Sequence, residues 1–457
     1  MGINKSIRNI AWIAVALAMT GAADAWALTV EFRGTNHKVL EYEPDNRSGL
    51  EGLYVAYDTA EIAEMAIGGF SSGATVSRYS NLGGGYAEPV TSSYDGSNIV
   101  VSNPAGNSGY IVTENGRNTC FWLVNYASQR MTLNAVGVDS RQDCDNTRFT
   151  INGNAPEIHY YTIDGRPVVL SRDIEMVYYT QVWDEETPGF VTEQTTRTLP
   201  NLTNPLTITP PLYCATDVTI RGDRFLVAWG MPVSVTSVTI QPNGLACHTI
   251  SEQTNLPEED EAGSNMISSG GSEGELGGSA PADIRFSAYT TEAVIHNEWQ
   301  ISRDPEFGTV DYRFNEKEIE YTFQEEGTFY VRFIGSNSDG TCETFGDTYT
   351  VGIGASELRI PNAFTPNDDG VNDVWKVGYR SLLGFKCWIF DRYGNEIFYF
   401  DNPAEGWDGT YKGKKVKSGV YYYVIEATGS DGKKYKKGGD INILGYKHLD
   451  GTTAPVE

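Results

Sequence analysis

The stretch that most restricts this chain's fold lies near its end, from about Arg359 to Leu444, where strand-length apolar runs alternate with tight-turn residues. It opens Ile360-Pro361-Asn362-Ala363-Phe364-Thr365-Pro366-Asn367-Asp368-Asp369-Gly370-Val371-Asn372-Asp373. Two prolines with fixed φ bracket a short apolar step, and the Asn and Asp that follow bond their own backbone, so a rigid loop is expected. Phe385 to Phe398 reads as strand, Tyr393-Gly394-Asn395 turn, and strand, which is a hairpin signal. Gly406-Trp407-Asp408-Gly409-Thr410-Tyr411 makes another turn. Ser418-Gly419 leads into Val420 to Ile425, and Asp431-Gly432 returns the chain as a last strand, Gly439 to Leu444. These residues alone give a small antiparallel β-sandwich, with Phe364, Trp388 and Trp407 as its large core residues.

The same residues carry a resemblance. Pro361-Asn362-Ala363-Phe364-Thr365-Pro366-Asn367, Gly370-Val371-Asn372-Asp373, Ile389 to Gly394, Trp407-Asp408-Gly409 and Gly419-Val420-Tyr421 stand in one order and spacing. In these the chain resembles the type B sorting domain of the type IX secretion system, the gliding-motility-associated C-terminal domain of Bacteroidota. The likeness covers less than a quarter of the chain, and Gly445 to Glu457 continue past the point where such domains usually stop. It implies recognition by the type IX secretion machinery at the outer membrane, with delivery to the cell surface or the medium. Lys412, Lys414, Lys415, Lys417, Lys433, Lys434, Lys436 and Lys437 make this end locally basic. They read either as charges that keep exposed edges soluble or as a surface for an acidic partner.

At the other end, Lys5 and Arg8 precede the apolar run Ile10 to Met19, and Ala23-Asp24-Ala25 and Ala25-Trp26-Ala27 fit small-x-small cleavage. Residues 1–27 are therefore expected to be a secretory signal peptide, too short to span a membrane. The expected mature N-terminus is Trp26 or Leu28, in the periplasm on the way to the surface. A formal charge of −26 argues against nucleic acid and anionic membranes as partners. The 27 Tyr and 49 Gly, with few helical patterns, point to β modules joined by turns, and 457 residues exceed one sandwich.

The expected fold is all-β: tandem immunoglobulin-like or PKD-like β-sandwiches ending in the sorting domain. An N-terminal β domain is expected over 28–140, with only Thr59 to Ile67 readable as a short helix. An Ig-like module follows over 141–209, and the start of a third module over 210–255. Cys144 before Thr150-Ile151-Asn152-Gly153 and Cys214 before Thr219-Ile220-Arg221-Gly222 form a weak repeat consistent with those boundaries. Residues 256–280 turn to Pro, Glu, Asp, Gly and Ser, the composition of a linker or insertion. Residues 281–355 resemble a PKD-like or immunoglobulin-like sandwich in Trp299-Gln300-Ile301-Ser302, Tyr321-Thr322-Phe323 and Gly327 to Phe333. Alternation there puts Phe329, Val331 and Phe333 on one face. The sorting domain takes 356–444 and a tail 445–457.

Chemistry is sparse. Gly69-Phe70-Ser71-Ser72-Gly73 matches a nucleophile elbow in letters, but the strand-like Ala74 to Ser80 follows where a helix is required. His37, His159, His248, His296 and His448 show no metal-ligand pairing. Asn367 to Asp373 is rich in oxygen ligands without the order of an EF-hand, so Asx turns explain it better than calcium. No catalytic residue, cofactor or metal is expected. Six cysteines in an exported chain suggest disulfides. Cys214–Cys247 is the preferred pair and Cys120–Cys144 the second, with Cys387 a buried free thiol. The expected role is a non-catalytic surface protein whose upstream modules meet a surface protein or glycan in adhesion or surface structure. The alternatives are an accessory or signalling component of the secretion system and, last, a hydrolase.

Overall fold

The computed structural model describes residues 28–255, 265–267 and 276–445. The expected signal peptide, most of the expected linker and residues 446–457 lie outside the described residues.

The first sandwich stacks two sheets. One orders Thr29–Arg33, Glu64–Gly68, Asn98–Ser102 and Ser93–Tyr94. The other orders Leu40–Tyr42, Gly52–Ala56, Arg117–Asn125, Ser108–Glu114, Thr75–Tyr79 and Glu88–Val90. Between them lie Met65, Ile67, Val112, Phe121 and Leu123. The central strand Arg117–Asn125 pairs parallel with Gly52–Ala56 and antiparallel with Ser108–Glu114. Its run Cys120-Phe121-Trp122-Leu123-Val124 is buried throughout. Alternation sends Phe121 and Leu123 into one core and Cys120, Trp122 and Val124 into another. A strand covered on both faces reads as a continuous apolar run, which is the pattern seen here. The segment read as a short helix divides into a single 3₁₀ turn, Thr59–Glu61, and the strand Glu64–Gly68.

That second core is shared with the next unit. Trp122, Tyr126 and Met131 pack with Phe149, Ile151, Met176, Ile220 and Phe225. The next unit sets Thr132–Val138, Thr147–Asn154 and Leu206–Ile208 against Gly189–Leu199, Ile174–Asp184, Thr219–Gly222 and Val233–Thr236. At the junction Arg172 and Asp223 are fully buried and ion-paired. Tyr126 donates to both oxygens of the Asp223 carboxylate at 3.2 and 3.1 Å, and the Leu226 N–H donates to it at 3.0 Å. Arg172 Nε donates to the Pro156 carbonyl at 3.0 Å, and its Nη2 to the Gln129 and Pro156 carbonyls at 2.5 Å. A buried ion pair is tolerated only when its remaining donors and acceptors are satisfied, as they are here from both units. Asp223 also caps the short helix Arg224–Ala228.

The third sandwich sets Cys247–Gln253, Ala282–Thr290 and Glu318–Phe323 against a sheet led by Tyr349–Ile353, Gly327–Ser336 and His296–Ser302. Phe329, Val331 and Phe333 face its core together with Trp299, Phe286 and Ile284. The last unit is a five-stranded sheet, Ala363–Phe364, Lys434–Ile443, Gly419–Gly429, Leu382–Phe390 and Glu396–Phe400. Two small pairs, Glu357–Arg359 with Gly378–Arg380 and Thr410–Tyr411 with Lys414–Lys415, complete it. Met266 bridges to Tyr379 at the edge of the first of these pairs.

The cysteine pairing differs from both expected bridges. Cys144 bonds Cys342, 198 residues away, with Cα atoms 5.6 Å apart. Cys120, Cys214 and Cys247 are free thiols, as is the buried Cys387. Cys120 sits mid-strand with its side chain in the shared core, while Cys144 stands just ahead of the strand Thr147–Asn154. Cys247 opens a strand of the third sandwich, its sulfur 3.6 Å from Thr344 Oγ1, and Cys214 is buried in the preceding unit. The bridge instead ties the second unit to the third across their junction.

Candidate functional site

The motif of the C-terminal unit converges at one end of its sheet. Ala363–Phe364 adds parallel to Lys434–Ile443, with the Asn362 carbonyl accepting from the Asn442 N–H and side-chain amide at 2.8 and 3.1 Å. Phe364 Cζ and Pro366 Cγ approach Gly409 so closely that a Cβ there would meet them at 3.4 and 3.0 Å. Gly409 also has φ +75°, a conformation glycine adopts without strain. Trp407 is fully buried, with its ring centroid 5.5 Å from Phe364 and 5.2 Å from Tyr421. Its Nε1 donates to the Thr410 carbonyl at 2.9 Å, and Asp408 accepts from the Thr410 N–H and hydroxyl at 2.9 and 2.7 Å. Tyr421 donates to the Lys417 carbonyl at 2.9 Å.

Sequence reading missed Trp375, which is fully buried. Its backbone exchanges hydrogen bonds with that of Trp407 at 2.8 and 3.0 Å, and its Nε1 donates to the Pro361 carbonyl at 2.8 Å. The available signal was an apolar pair, Val374-Trp375, directly after the Asn372-Asp373 loop. Trp388, expected in the core, lies instead on the outer face with its ring 5.6 Å from Tyr399. Its neighbour Cys387 takes the core position, and burial pushes that thiol up to about 12.

The loop from Thr365 to Asp373 closes on itself. Thr365 N–H donates to the Asn372 carbonyl at 2.9 Å. Asp373 accepts the Asp368 N–H on one oxygen at 2.6 Å and the Gly370 N–H on the other at 2.7 Å. Asn367 donates to Asp369 at 2.8 Å. Lys415 Nζ reaches the Pro366 carbonyl at 2.7 Å and Asp368 at 2.8 Å. Desolvation acts to raise the Asp373 carboxyl, but backbone donors from Gly370, Asp368 and Asn367 outweigh it and hold the group below its ordinary value. Asp373 and Asp369 thus serve the loop's own backbone, while Asp368 holds Lys415. Gly394 and Gly419, at φ +84° and +150°, mark the other turns of the motif.

The eight lysines do not form one surface. Lys434 pairs with Thr428 at one end of the last hairpin, and Ile443 pairs with Gly419 at the other. Nine residue steps separate those ends, about 30 Å at ~3.3 Å per residue. Lys412, Lys414, Lys415 and Lys417 lie before Gly419 and belong to the far end. Lys436 pairs with Glu426 at 3.1 Å.

Other sequence candidates stay dispersed. Ser71 lies between two strands, Glu64–Gly68 and Thr75–Tyr79, and both its N–H and its hydroxyl donate to Glu114, at 2.7 and 2.5 Å. His37 meets Glu61 at 3.0 Å, His159 meets Glu157 at 3.3 Å, and His296 meets the Ser338 carbonyl at 3.3 Å. His248 stacks on Trp183 with centroids 3.9 Å apart. His448 lies outside the described residues. Among the described residues no group of three or more His, Cys, Asp or Glu is placed to hold a metal ion.

Comparison with known families decides what the convergent end is. Residues 358–443 match the CHU_C type IX secretion signal domain. The C-terminal unit is a type IX secretion signal domain. Upstream, residues 135–237 match the fibronectin type III domain, so the second sandwich, which carries Arg172 and Asp223, is of that immunoglobulin-like kind. No curated protein matches the sequence. Among solved structures, dimeric latent PorU from Porphyromonas gingivalis is matched at 9% identity, over 71% of this chain and 35% of that one. Its TM-score of 0.15 is too low to carry any argument. The signal domain implies export by the type IX secretion system to the cell surface or extracellular space, and contact with that machinery. It holds 13 Lys and Arg against 11 Asp and Glu, in a chain with 34 against 60.

Proposed function

We propose that this chain is a non-catalytic, modular surface protein that the type IX signal domain delivers, and that the sandwiches upstream serve adhesion or surface structure. The observation that carries the reading is the convergence of Phe364, Trp407, Gly409 and Tyr421 into a core of the signal domain's own, separate from the cores upstream. An address that folds by itself can be read whatever precedes it. Among the described residues the upstream units are β-sandwiches, and their ligand is proposed to be a surface protein or a glycan. The leader over 1–27 would supply the first crossing, into the periplasm.

The test is export in a competent host. Deleting 358–443 is expected to leave the protein in the periplasm, and fusing 359–457 to an inert periplasmic reporter is expected to carry the reporter out. A deletion variant exported like the parent overturns the reading. Comparing surface and medium proteins of a strain lacking the whole chain separates cargo from machinery: unchanged export of other proteins supports the proposal, and a general export defect would make the chain an accessory component. A hydrolytic activity lost with Ser71→Ala would overturn the non-catalytic part.

A further inference from the structure

Among the described residues, nothing pairs with the outer edge of one of the two longest strands of the fibronectin type III unit. Its four-stranded sheet is ordered Gly189–Leu199, Ile174–Asp184, Thr219–Gly222, Val233–Thr236, so Gly189–Leu199 is outermost. All eleven of its residues pair on one side, in unbroken register from Asp184↔Gly189 to Ile174↔Leu199. On the other side, alternate N–H and C=O groups point away from the sheet. Natural edges are commonly blunted by shortness, proline, lysine or a bulge. This strand is long, straight in register and contains neither Pro nor Lys, its charged residues being one Glu and one Arg, Glu193 and Arg197. Val191, Thr192, Thr195, Thr196 and Thr198 give it strong β-propensity. Among the described residues, the turn-proximal end of the strand lies beside Ala282–Thr290 of the third sandwich: Phe190 packs at 5.6 Å on Trp183, its partner across the hairpin, which meets Tyr289 at 5.3 Å.

We infer that Gly189–Leu199 is a docking strand for a second copy of this chain, added antiparallel about a two-fold axis at Thr195. That register is selected by charge. With Thr195 opposite itself, Glu193 of each copy faces Arg197 of the other, Thr192 faces Thr198, Gln194 faces Thr196, and Val191 faces Leu199. Opposite charges directly across a strand pair stabilise it, and like charges destabilise it. Centring the axis on Glu193 or Arg197 instead sets like charges against each other. Arg197 is held over the Tyr178 ring at 5.9 Å, while Glu193 is exposed at the strand's surface. The product is one continuous sheet across two molecules, with the same patch used by both, so it closes as a dimer rather than growing into a fibre. The chain's charge of −26 opposes association at low salt. At about 0.15 M salt repulsion beyond roughly 8 Å is screened, and the two edges can meet.

The test uses the chain from Leu28 onward, in light scattering and sedimentation across micromolar concentrations at about 0.15 M salt. A dimer is expected. Glu193→Arg, an exposed change, should weaken it roughly tenfold or more by placing like charges in both symmetric contacts. The combined Glu193→Arg and Arg197→Glu variant should restore it, which a merely structural role for either residue would not do. Under mild oxidation Thr195→Cys should crosslink two copies. Thr192→Cys should not, since that residue sits about 20 Å from its own equivalent at ~3.3 Å per residue. A monomer at every concentration overturns the inference and leaves the edge to an extended segment of another protein. A dimer indifferent to Glu193→Arg, or equal crosslinking at 192 and 195, overturns it as well.

Discussion

Truncating Trp407 to alanine tests whether the signal domain is an address made by folding. Trp407 is fully buried between Phe364 and Tyr421, and its indole N–H satisfies the Thr410 carbonyl. Removing a buried tryptophan costs roughly 3–5 kcal/mol, and the stranded carbonyl adds about 1 more. A domain of roughly 86 residues has a total stability of about 4–13 kcal/mol, so Trp407→Ala should bring it close to unfolding. Trp388→Ala removes a ring of similar size from the outer face, where the lost cross-strand contact with Tyr399 is worth about 1 kcal/mol or less. Cys387 offers a local readout in the intact chain, which several independent cores make unsuitable for a single two-state melt. Its thiol is fully buried and pushed up to about 12, so it reacts only when the domain opens. Each 1.4 kcal/mol is a factor of ten in the open population, so alkylation of Cys387 should accelerate about 10²-fold or more in Trp407→Ala. Trp388→Ala should stay within about tenfold of the parent. A Trp407→Ala protein that labels no faster than Trp388→Ala would refute the packing argument, and retained export of that variant would refute the folded address.

Four further outcomes are expected. Peptide mapping without reduction should recover Cys144 joined to Cys342, with the buried Cys120, Cys214 and Cys387 alkylated only after denaturation and the half-buried Cys247 labelling ahead of them. Cys144→Ser should cost about 2–5 kcal/mol of resistance to separation of the second and third units, read by limited proteolysis at their junction. Gly409→Ala should destabilise the signal domain by about 1–2 kcal/mol from its positive φ alone, with crowding against Pro366 added, read by the same Cys387 labelling. Asp95 is held at about 2, chiefly by the Ser97 and Asn98 backbone N–H groups, with Asn98 and Arg33 side chains assisting against desolvation. Its folded value is depressed, so the stabilisation it brings is complete above the unfolded value of about 3.9 and is lost as pH falls toward 2. An Asp95 carboxyl found protonated at about pH 3 by NMR titration would contradict this.

The all-β class, the sorting-domain likeness and the inward face of Gly327–Ser336 were legible in the residues alone, because turn residues and a period of two are local properties of backbone and side chain. Local pattern also placed Phe364 and Trp407 in a core, through the glycine and proline turns that hold them. It misjudged Trp388 and missed Trp375: alternation says that Cys387 and Trp388 face opposite ways but not which way is in. That choice is made by what stacks on the sheet, here Phe364, Trp375 and Trp407 against Cys387 and Ile389. The cysteine pairing was illegible for a related reason. Cys144 and Cys342 are 198 residues apart and meet only because two separately folded sandwiches dock, an encounter no local spacing records. The shared core of the first two units, the separation of the lysines into two groups and the open edge Gly189–Leu199 are of the same kind. Each depends on which strands become neighbours, and long-range packing decides that.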